Sequence, residues 1–227
     1  MCGRFTLTVD PGELQSAFPG IAVPAGFSPR YNIAPSQPVA IIPNDGLNRL
    51  DYYSWGLIPS WAKDPSIGAR MINARGETLA EKPSFRSAYR YHRCLIPADG
   101  FYEWKTLSDG KTKMPIYIHM QNKALFAFAG LWETWFSPDG SEIRSCTIIT
   151  TEANNAIKPI HDRMPVIIPP ENYHDWLKPG EADTKGLASL LKPYSPEAFA
   201  FDYVSRAVNN PANDSPECVR STGSFVV

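Results

Sequence analysis

The 227-residue chain is 43% hydrophobic and carries a net charge of −1, so it can bury a sizeable core as one large domain without a global basic field. It has no apolar run of about 18 residues, and its N-terminus lacks a charged segment followed by an apolar core. We therefore expect neither a transmembrane span nor a signal peptide. The four cysteines are scattered without CxxC pairing, which argues against a zinc site or a disulfide framework and favours a reducing, cytoplasmic compartment.

The first half of the chain predicts short strands and one capped helix. Asp10, Pro11 and Glu13 form a capping-box pattern that starts a helix over 11–18. A turn at Asn44-Asp45-Gly46 joins two apolar runs and indicates a hairpin. Strands are predicted over 2–8, 38–43 and 49–56, and a short helix over 77–82.

The second half predicts runs of strands with few helices between them. Strands are predicted over 93–98, 114–120, 124–132, 143–151 and 199–205, and helices over 170–177 and 184–192. The almost continuously apolar run 124–132 should be a central strand, and 206–227 is predicted to be a loosely ordered tail. This pattern favours an α+β, β-rich single domain over 1–227. Mostly antiparallel sheets would form a barrel-like or sandwich core with a few peripheral helices.

Cys2 follows the initiator methionine directly, and its small side chain permits removal of Met1. The new terminus would carry an α-amine and a thiol on one residue. Both groups titrate near neutral pH, so modest tuning makes either one reactive. Such an aminothiol captures an aldehyde as a Schiff base and then closes to a thiazolidine. A small, buried, inert core residue is the other interpretation of Cys2.

Two titratable side chains suit proton transfer. Glu103 lies among aromatic residues in Phe-Tyr-Glu-Trp, where apolar surroundings would raise its pKa. The alternative is an outward-facing Glu on an alternating strand. His161 lies in Pro-Ile-His-Asp-Arg, where Asp162 could set its tautomer. A loop histidine hydrogen-bonded to backbone is the alternative there.

Several other residues could bind a polyanion. Asn73 and Arg75 would share one face of an extended segment, and Arg4 would share the face of Cys2. Residues 70–93 carry six Lys or Arg against two Glu, a net +4 over 24 residues, which fits either a phosphate-binding patch or a solvated face. Trp61 and Trp104 fit either base stacking or the core.

Five sequence blocks occur in an order and spacing that together resemble one known family, the SOS response-associated peptidases or abasic-site processing proteins. The blocks are Cys2–Phe5 (CGRF), Arg30–Pro35 (RYNIAP), Ile72–Thr78 (INARGET), Pro97–Trp104 (PADGFYEW) and Ile160–Pro165 (IHDRMP). The resemblance extends from residue 2 to Asn209. No glycine-rich phosphate loop, GxSxG or HExxH motif competes with it, and we expect no cofactor and no metal.

The resemblance implies an enzyme that loses Met1 and senses abasic sites in single-stranded DNA or at a single-strand to double-strand junction. It would trap the ring-opened sugar aldehyde in a thiazolidine DNA–protein crosslink, and it would also have lyase and autoproteolytic activity. The implied catalytic residues are Cys2, Asn73, Glu103 and His161. The implied DNA-binding residues are Arg4, Arg75, Arg86, Trp61 and Trp104. We expect a monomer that is cytoplasmic, nucleoid-associated when bound to DNA, and without a membrane partner.

Two other classes stay open at this point. Cys2, His161 and Asn73 could form the papain-like trio of a cysteine hydrolase or protease, although a protease nucleophile needs no free α-amine. The basic patch and the tryptophans would suffice for a non-covalent single-stranded DNA-binding module, in which Cys2 could be replaced without consequence.

Overall fold

The computed structural model describes residues 2–225, and within that range the chain forms fourteen strands and four α-helices. The strands are β1 (Phe5–Leu7), β2 (Arg30–Ile33), β3 (Pro38–Pro43), β4 (Asp51–Trp55), β5 (Asn73–Arg75), β6 (Arg93–Ala98), β7 (Gly100–Thr106), β8 (Lys113–Met120), β9 (Phe126–Phe136), β10 (Glu142–Glu152), β11 (Arg163–Pro165), β12 (Ile167–Ile168), β13 (Phe199–Val204) and β14 (Ser221–Ser224). The helices are α1 (Pro11–Ala17), α2 (Arg86–Tyr91), α3 (Tyr173–Leu177) and α4 (Thr184–Leu187).

Five of these strands close into a barrel. β4 pairs with β3, β3 with β6, β6 with β9 and β9 with β10, all antiparallel, and β10 returns to β4 in parallel. The short strands β5 and β11 extend the sheet at β10, and β12 pairs with β9. β9 thus pairs with three strands, which confirms the central strand expected from its apolar run.

A second, wholly antiparallel sheet packs against the barrel. Its strand order is β14-β13-β8-β7-β1-β2. Aromatic side chains join the two layers: Phe5 of β1 and Phe101 of β7 meet Phe128 of β9 edge to face, at centroid distances of 5.7 and 6.0 Å. The β-rich α+β class is confirmed, with a barrel rather than a sandwich at its centre.

The helices are short and peripheral. α1 carries the expected capping box, with Asp10 accepting from the Glu13 backbone and Glu13 accepting from the Asp10 backbone. The helix expected over 77–82 is instead a 3-10 turn over Gly76–Thr78, and Pro83 soon follows it. None of the described helices is long and apolar enough to cross a membrane.

The C-terminal segment differs from the loose tail expected from residue 206. Over 206–225 it forms two 3-10 turns and β14, which pairs with β13. The buried Asn32 carboxamide fixes this segment by donating to the carbonyls of Val208, Asn210 and Asn213. Asp214 accepts from the backbone N–H of Asn32 at 3.0 Å. Hydrogen bonds from buried polar side chains therefore hold the segment together with the buried side chains of Val208, Cys218 and Phe225.

Candidate active site

Cys2 lies at the junction between the two sheets because the chain before β1 continues along β7. Phe5 pairs with Phe101, and the Tyr102 N–H donates to the Arg4 carbonyl at 2.9 Å. Continuing this antiparallel register brings the residues before Arg4 alongside the second half of β7. Cys2 is fully buried there. The predicted removal of Met1 concerns a residue outside the described range.

The Cys2 thiol lies in surroundings that disfavour its ionised form. Burial raises the pKa of this thiol well above its ordinary value, and the negative charge of Glu103 adds to the increase. A thiol held in its neutral form is a poor first nucleophile.

Glu103 faces inward from β7. It is only 4% exposed, so the alternative of an outward-facing Glu on an alternating strand is wrong. Burial raises the pKa of this carboxyl, and the nearby His161 partly opposes the rise. A buried carboxyl with a raised pKa holds its proton more tightly than an exposed one, and this direction is the one expected from the aromatic residues around Glu103 in the sequence.

Asn73 meets the backbone of Cys2 directly. It begins β5, which is parallel to β10 with Asn73 opposite Ile148. Its Nδ2 donates to the Cys2 carbonyl at 2.8 Å. Its Oδ1 is buried and has no hydrogen-bond partner among residues 2–225. A buried amide oxygen is an unused acceptor beside the start of the chain.

His161 lies in the loop before β11 and is partly exposed. Its Nδ1 accepts from the backbone N–H of Arg163 at 2.9 Å. Asp162 Oδ1 lies 2.9 Å from the same nitrogen. An accepting Nδ1 places the proton of the neutral ring on Nε2. Both interpretations of His161 therefore apply in part: the ring is bonded to backbone, and Asp162 is beside it.

Arg4 and Trp104 are neighbours anchored by the C-terminal segment. Arg4 Nη1 donates to Asn32 Oδ1 at 2.7 Å and to the Val208 carbonyl at 2.6 Å. Its guanidinium carbon lies 5.7 Å from the centroid of the Trp104 ring, whose Nε1 donates to Asn209 Oδ1 at 2.7 Å. Burial lowers the pKa of Arg4. These contacts hold both side chains in place beside the segment that precedes β1 and carries Cys2.

The other residues implied for DNA binding are exposed. Arg75 ends β5, two residues after Asn73, and Arg86 begins α2. Trp61 is 57% exposed, and its Nε1 lies 3.4 Å from the Pro83 carbonyl. This exposure suits a binding role, which stays a prediction for all three.

The basic segment 70–93 does not form one surface. Arg93 is fully buried, and its guanidinium donates to the backbone carbonyls of Tyr89, Arg90, Trp176 and Lys178. These carbonyls lie at the C-terminal ends of α2 and α3, where a cation is favourable. Arg90 is paired with Glu181. The basic patch expected over 70–93 is therefore smaller than predicted, because the charge of Arg93 is buried among backbone carbonyls.

An ion pair that the sequence patterns do not predict joins two of the motif blocks. Arg163 donates to both carboxylate oxygens of Glu77, at 2.6 and 2.9 Å, and to the Thr150 carbonyl at 2.8 Å. The hydrogen bond from Arg163 lowers the pKa of Glu77. The only signal was that each residue belongs to a block also containing a candidate catalytic residue. Over 2–225 no group of three or more His, Cys, Asp or Glu could hold a metal ion.

These observations define a β-barrel protein with a buried cysteine next to the chain start, framed by an amide, a carboxyl and an imidazole. Residues 1–211 match the model of the SOS response associated peptidase (SRAP) family, and the chain belongs to this family. It is 51% identical over 224 residues to the abasic site processing protein YoqW of Bacillus subtilis (strain 168), covering 97% of this chain and all of that protein.

Similarity extends to more distant proteins. The chain is 31% identical over 264 residues to the abasic site processing protein HMCES of Xenopus tropicalis, covering 96% of this chain and 78% of that protein. A crystal structure of a protein from Bacteroides thetaiotaomicron superposes with a TM-score of 0.87 at 26% identity, covering 97% of this chain and all of that one.

Proposed function

We propose that this protein is an abasic-site processing enzyme that captures the sugar aldehyde with the aminothiol of Cys2, exposed when Met1 is removed. The observation that carries the proposal is the hydrogen bond from Asn73 to the Cys2 carbonyl. That bond fixes the backbone of the reactive residue beside the buried carboxyl of Glu103. The relatives YoqW and HMCES are abasic site processing proteins by name, which supports the substrate class.

The covalent chemistry has two steps. The Cys2 amine adds to the aldehyde carbon of the ring-opened abasic sugar, and loss of one water gives an imine. The thiol sulfur then bonds to the same carbon while its proton passes to nitrogen, and the C=N double bond becomes a single bond in a thiazolidine. The two steps release one water and require no oxidant or reductant. Because the thiol is held neutral, the amine acts first.

Glu103 acts as the base and then as the acid in the first of these steps. Its ionised form takes a proton from the terminal ammonium, which frees the lone pair for attack. Its protonated form returns that proton to the hydroxyl that leaves as water. The raised pKa suits this exchange because it makes the ionised carboxylate a stronger base toward the ammonium than an exposed carboxylate would be.

His161 acts on the sugar. Its Nε2–H donates to the ring oxygen of the abasic deoxyribose and favours the open aldehyde, which is the form that the amine attacks. The same imidazole could serve as acid and base for strand cleavage by β-elimination through the imine, which is the lyase activity of this proposal. The autoproteolytic release of Met1 belongs to the proposal as well.

The DNA strand is held by the charged and aromatic residues around this centre. Arg4, Arg75 and Arg86 contact phosphates, and Trp61 and Trp104 pack against bases. Arg4 and Trp104 are already fixed by protein contacts, so they present a preformed surface next to Cys2. The substrate is single-stranded DNA or a single-strand to double-strand junction, bound by a monomer.

A denaturing gel tests the proposal. Protein shown by mass to begin at Cys2 is mixed with single-stranded DNA carrying one abasic site. We expect a heat-stable shifted band with this strand and none with intact DNA or with Cys2→Ala. A stable adduct from Cys2→Ser would contradict the thiazolidine step.

The same gel separates the two rival classes. If protein that begins at Cys2 gives no shifted band, the cysteine hydrolase and the non-covalent DNA-binding module remain as the candidate functions. Turnover of a peptide substrate would then favour the hydrolase, and salt-sensitive binding without turnover would favour the module.

A further inference from the structure

A bidentate ion pair between Glu77 and Arg163 spans the end of β10. β5 and β11 flank this strand, because Thr150 pairs with Arg75 on one side and with Pro165 on the other. Glu77 lies in the 3-10 turn that follows β5, and Arg163 begins β11. The side chain of Arg163 is 15% exposed and that of Glu77 is 49% exposed, so the arginine is the more buried of the two residues.

This pair links the segment of Asn73 to the segment of His161. Glu77 follows Asn73 by four residues, and Arg163 follows His161 by two. The guanidinium also donates to the Thr150 carbonyl at 2.8 Å, so it is held at three acceptor atoms. A bidentate arginine–carboxylate pair fixes orientation as well as distance. The side chain of Arg163 therefore holds the start of β11 in addition to the pairing of this strand with β10.

The backbone N–H of Arg163 and the carboxylate of Asp162 require opposite tautomers of His161. The N–H donates to Nδ1, which must then be unprotonated, with the proton on Nε2. Asp162 Oδ1, at 2.9 Å from Nδ1, could accept a hydrogen bond from the ring only if Nδ1 carried the proton. The position of the Arg163 backbone thus decides which tautomer is favoured.

We propose that Glu77 is a positioning residue, which fixes Arg163 so that the Arg163 N–H stays on Nδ1 and the His161 proton stays on Nε2. The inference rests on the proposed function, in which Nε2–H acts on the sugar. Without Glu77, the β11 backbone relaxes and Asp162 competes for a protonated Nδ1. The ring then presents an acceptor where the reaction requires a donor.

Two matched variants, Glu77→Gln and its control Glu81→Gln, test this role. Both changes remove one negative charge from exposed side chains four residues apart, so any general gain in DNA affinity occurs in both. Nitrogen-15 NMR of His161 is recorded near pH 8.5, about two units above the ordinary histidine pKa. Crosslinking is followed as a single-turnover rate with an abasic strand, and the melting temperature checks folding.

We expect Glu77→Gln to convert His161 from the Nε2–H tautomer to a mixture and to slow crosslinking about tenfold, part of the roughly 10²–10⁴ that acid–base catalysis contributes. Glu81→Gln should change neither. Arg163→Lys, which keeps the charge without the bidentate geometry, should shift the tautomer in the same direction. A wild-type tautomer in Glu77→Gln would overturn the role of Glu77. Absence of crosslinking by the wild-type protein would instead overturn the proposed function, and the tautomer measurement would still decide the role of Glu77.

Discussion

Cys2 and Cys146 are both fully buried, and burial raises the pKa of both thiols. Cys146 lies in β10 between Trp55 and Trp132 of the neighbouring strands, and burial is the whole cause of its shift. Cys2 lies near Glu103, and its carbonyl accepts from Asn73. Burial by itself makes a thiol inert. The polar groups that position the backbone and carry protons distinguish the proposed reactive cysteine from the structural one.

The largest expected effect comes from exchanging the two cysteines for alanine. Cys2→Ala should abolish crosslinking completely, whereas Cys146→Ala should retain it. Alanine is also small enough at position 2 for methionine removal, so the terminus still forms. Each change deletes one buried sulfur and should lower the free energy of unfolding by about 1–2 kcal/mol, at the low end for core truncations. The gel and a urea titration measure the two effects, and a crosslink in Cys2→Ala would remove the distinction between the thiols.

Glu103→Gln should slow crosslinking by about 10²-fold or more, because it removes the group that carries the proton. The raised pKa also predicts a stability signature. A carboxyl whose folded-state pKa exceeds its unfolded value stabilises the fold below the unfolded pKa, and this contribution is lost as pH rises through the folded pKa. Wild type should therefore lose stability relative to Glu103→Gln between acid and neutral pH.

Chemical denaturation of both proteins at several pH values in that window measures this difference. Equal pH dependence in the two proteins would mean that burial does not raise the pKa of Glu103. The acid–base role proposed for this residue would then lose its physical basis.

Much of the fold could be predicted from local patterns. The apolar runs at 38–43 and 93–98 are bounded by turn residues, and β3 and β6 have these bounds. The segment 77–82, expected to be a helix, is only a 3-10 turn before Pro83, and its Glu77 pairs with Arg163, 86 positions away, a contact that local patterns do not predict. The C-terminal segment was misjudged for the same reason, since Asn32 and Asp214 act over long sequence distances.

The site was predictable only as a set of residue types. The motif blocks named Cys2 and Asn73, and the structure brings these two into contact. The sequence could not show that Arg93 is buried on backbone carbonyls, because its charge looks the same as that of the exposed Arg86. Nor could it show that the Arg163 N–H and Asp162 both contact Nδ1 of His161. Hydrogen-bond geometry at single atoms depends on tertiary packing, which local patterns do not encode.

Asn73→Ala should have a smaller effect than Glu103→Gln. It removes the hydrogen bond to the Cys2 carbonyl, which is worth about 1 kcal/mol, and leaves that carbonyl unsatisfied. We expect crosslinking to slow about five- to tenfold, since 1.4 kcal/mol corresponds to about tenfold. Asn154→Ala is the control, because this buried asparagine bonds the Tyr194 carbonyl instead. Equal slowing in both variants would indicate lost stability rather than a misplaced Cys2.

The smallest expected effect is that of Asp162→Ala. The Asp162 side chain is 86% exposed, and an electrostatic contact with so exposed a carboxylate contributes little. If the Arg163 N–H sets the tautomer of His161, removing Asp162 takes away only the competing acceptor, and the Nε2–H form becomes more favoured. Crosslinking rates at neutral pH should therefore stay within about twofold of wild type, the change that roughly 0.4 kcal/mol produces. A loss as large as that of Glu77→Gln would mean that the carboxylate, not the backbone, orients the imidazole, and it would return Asp162 to the role predicted from the sequence.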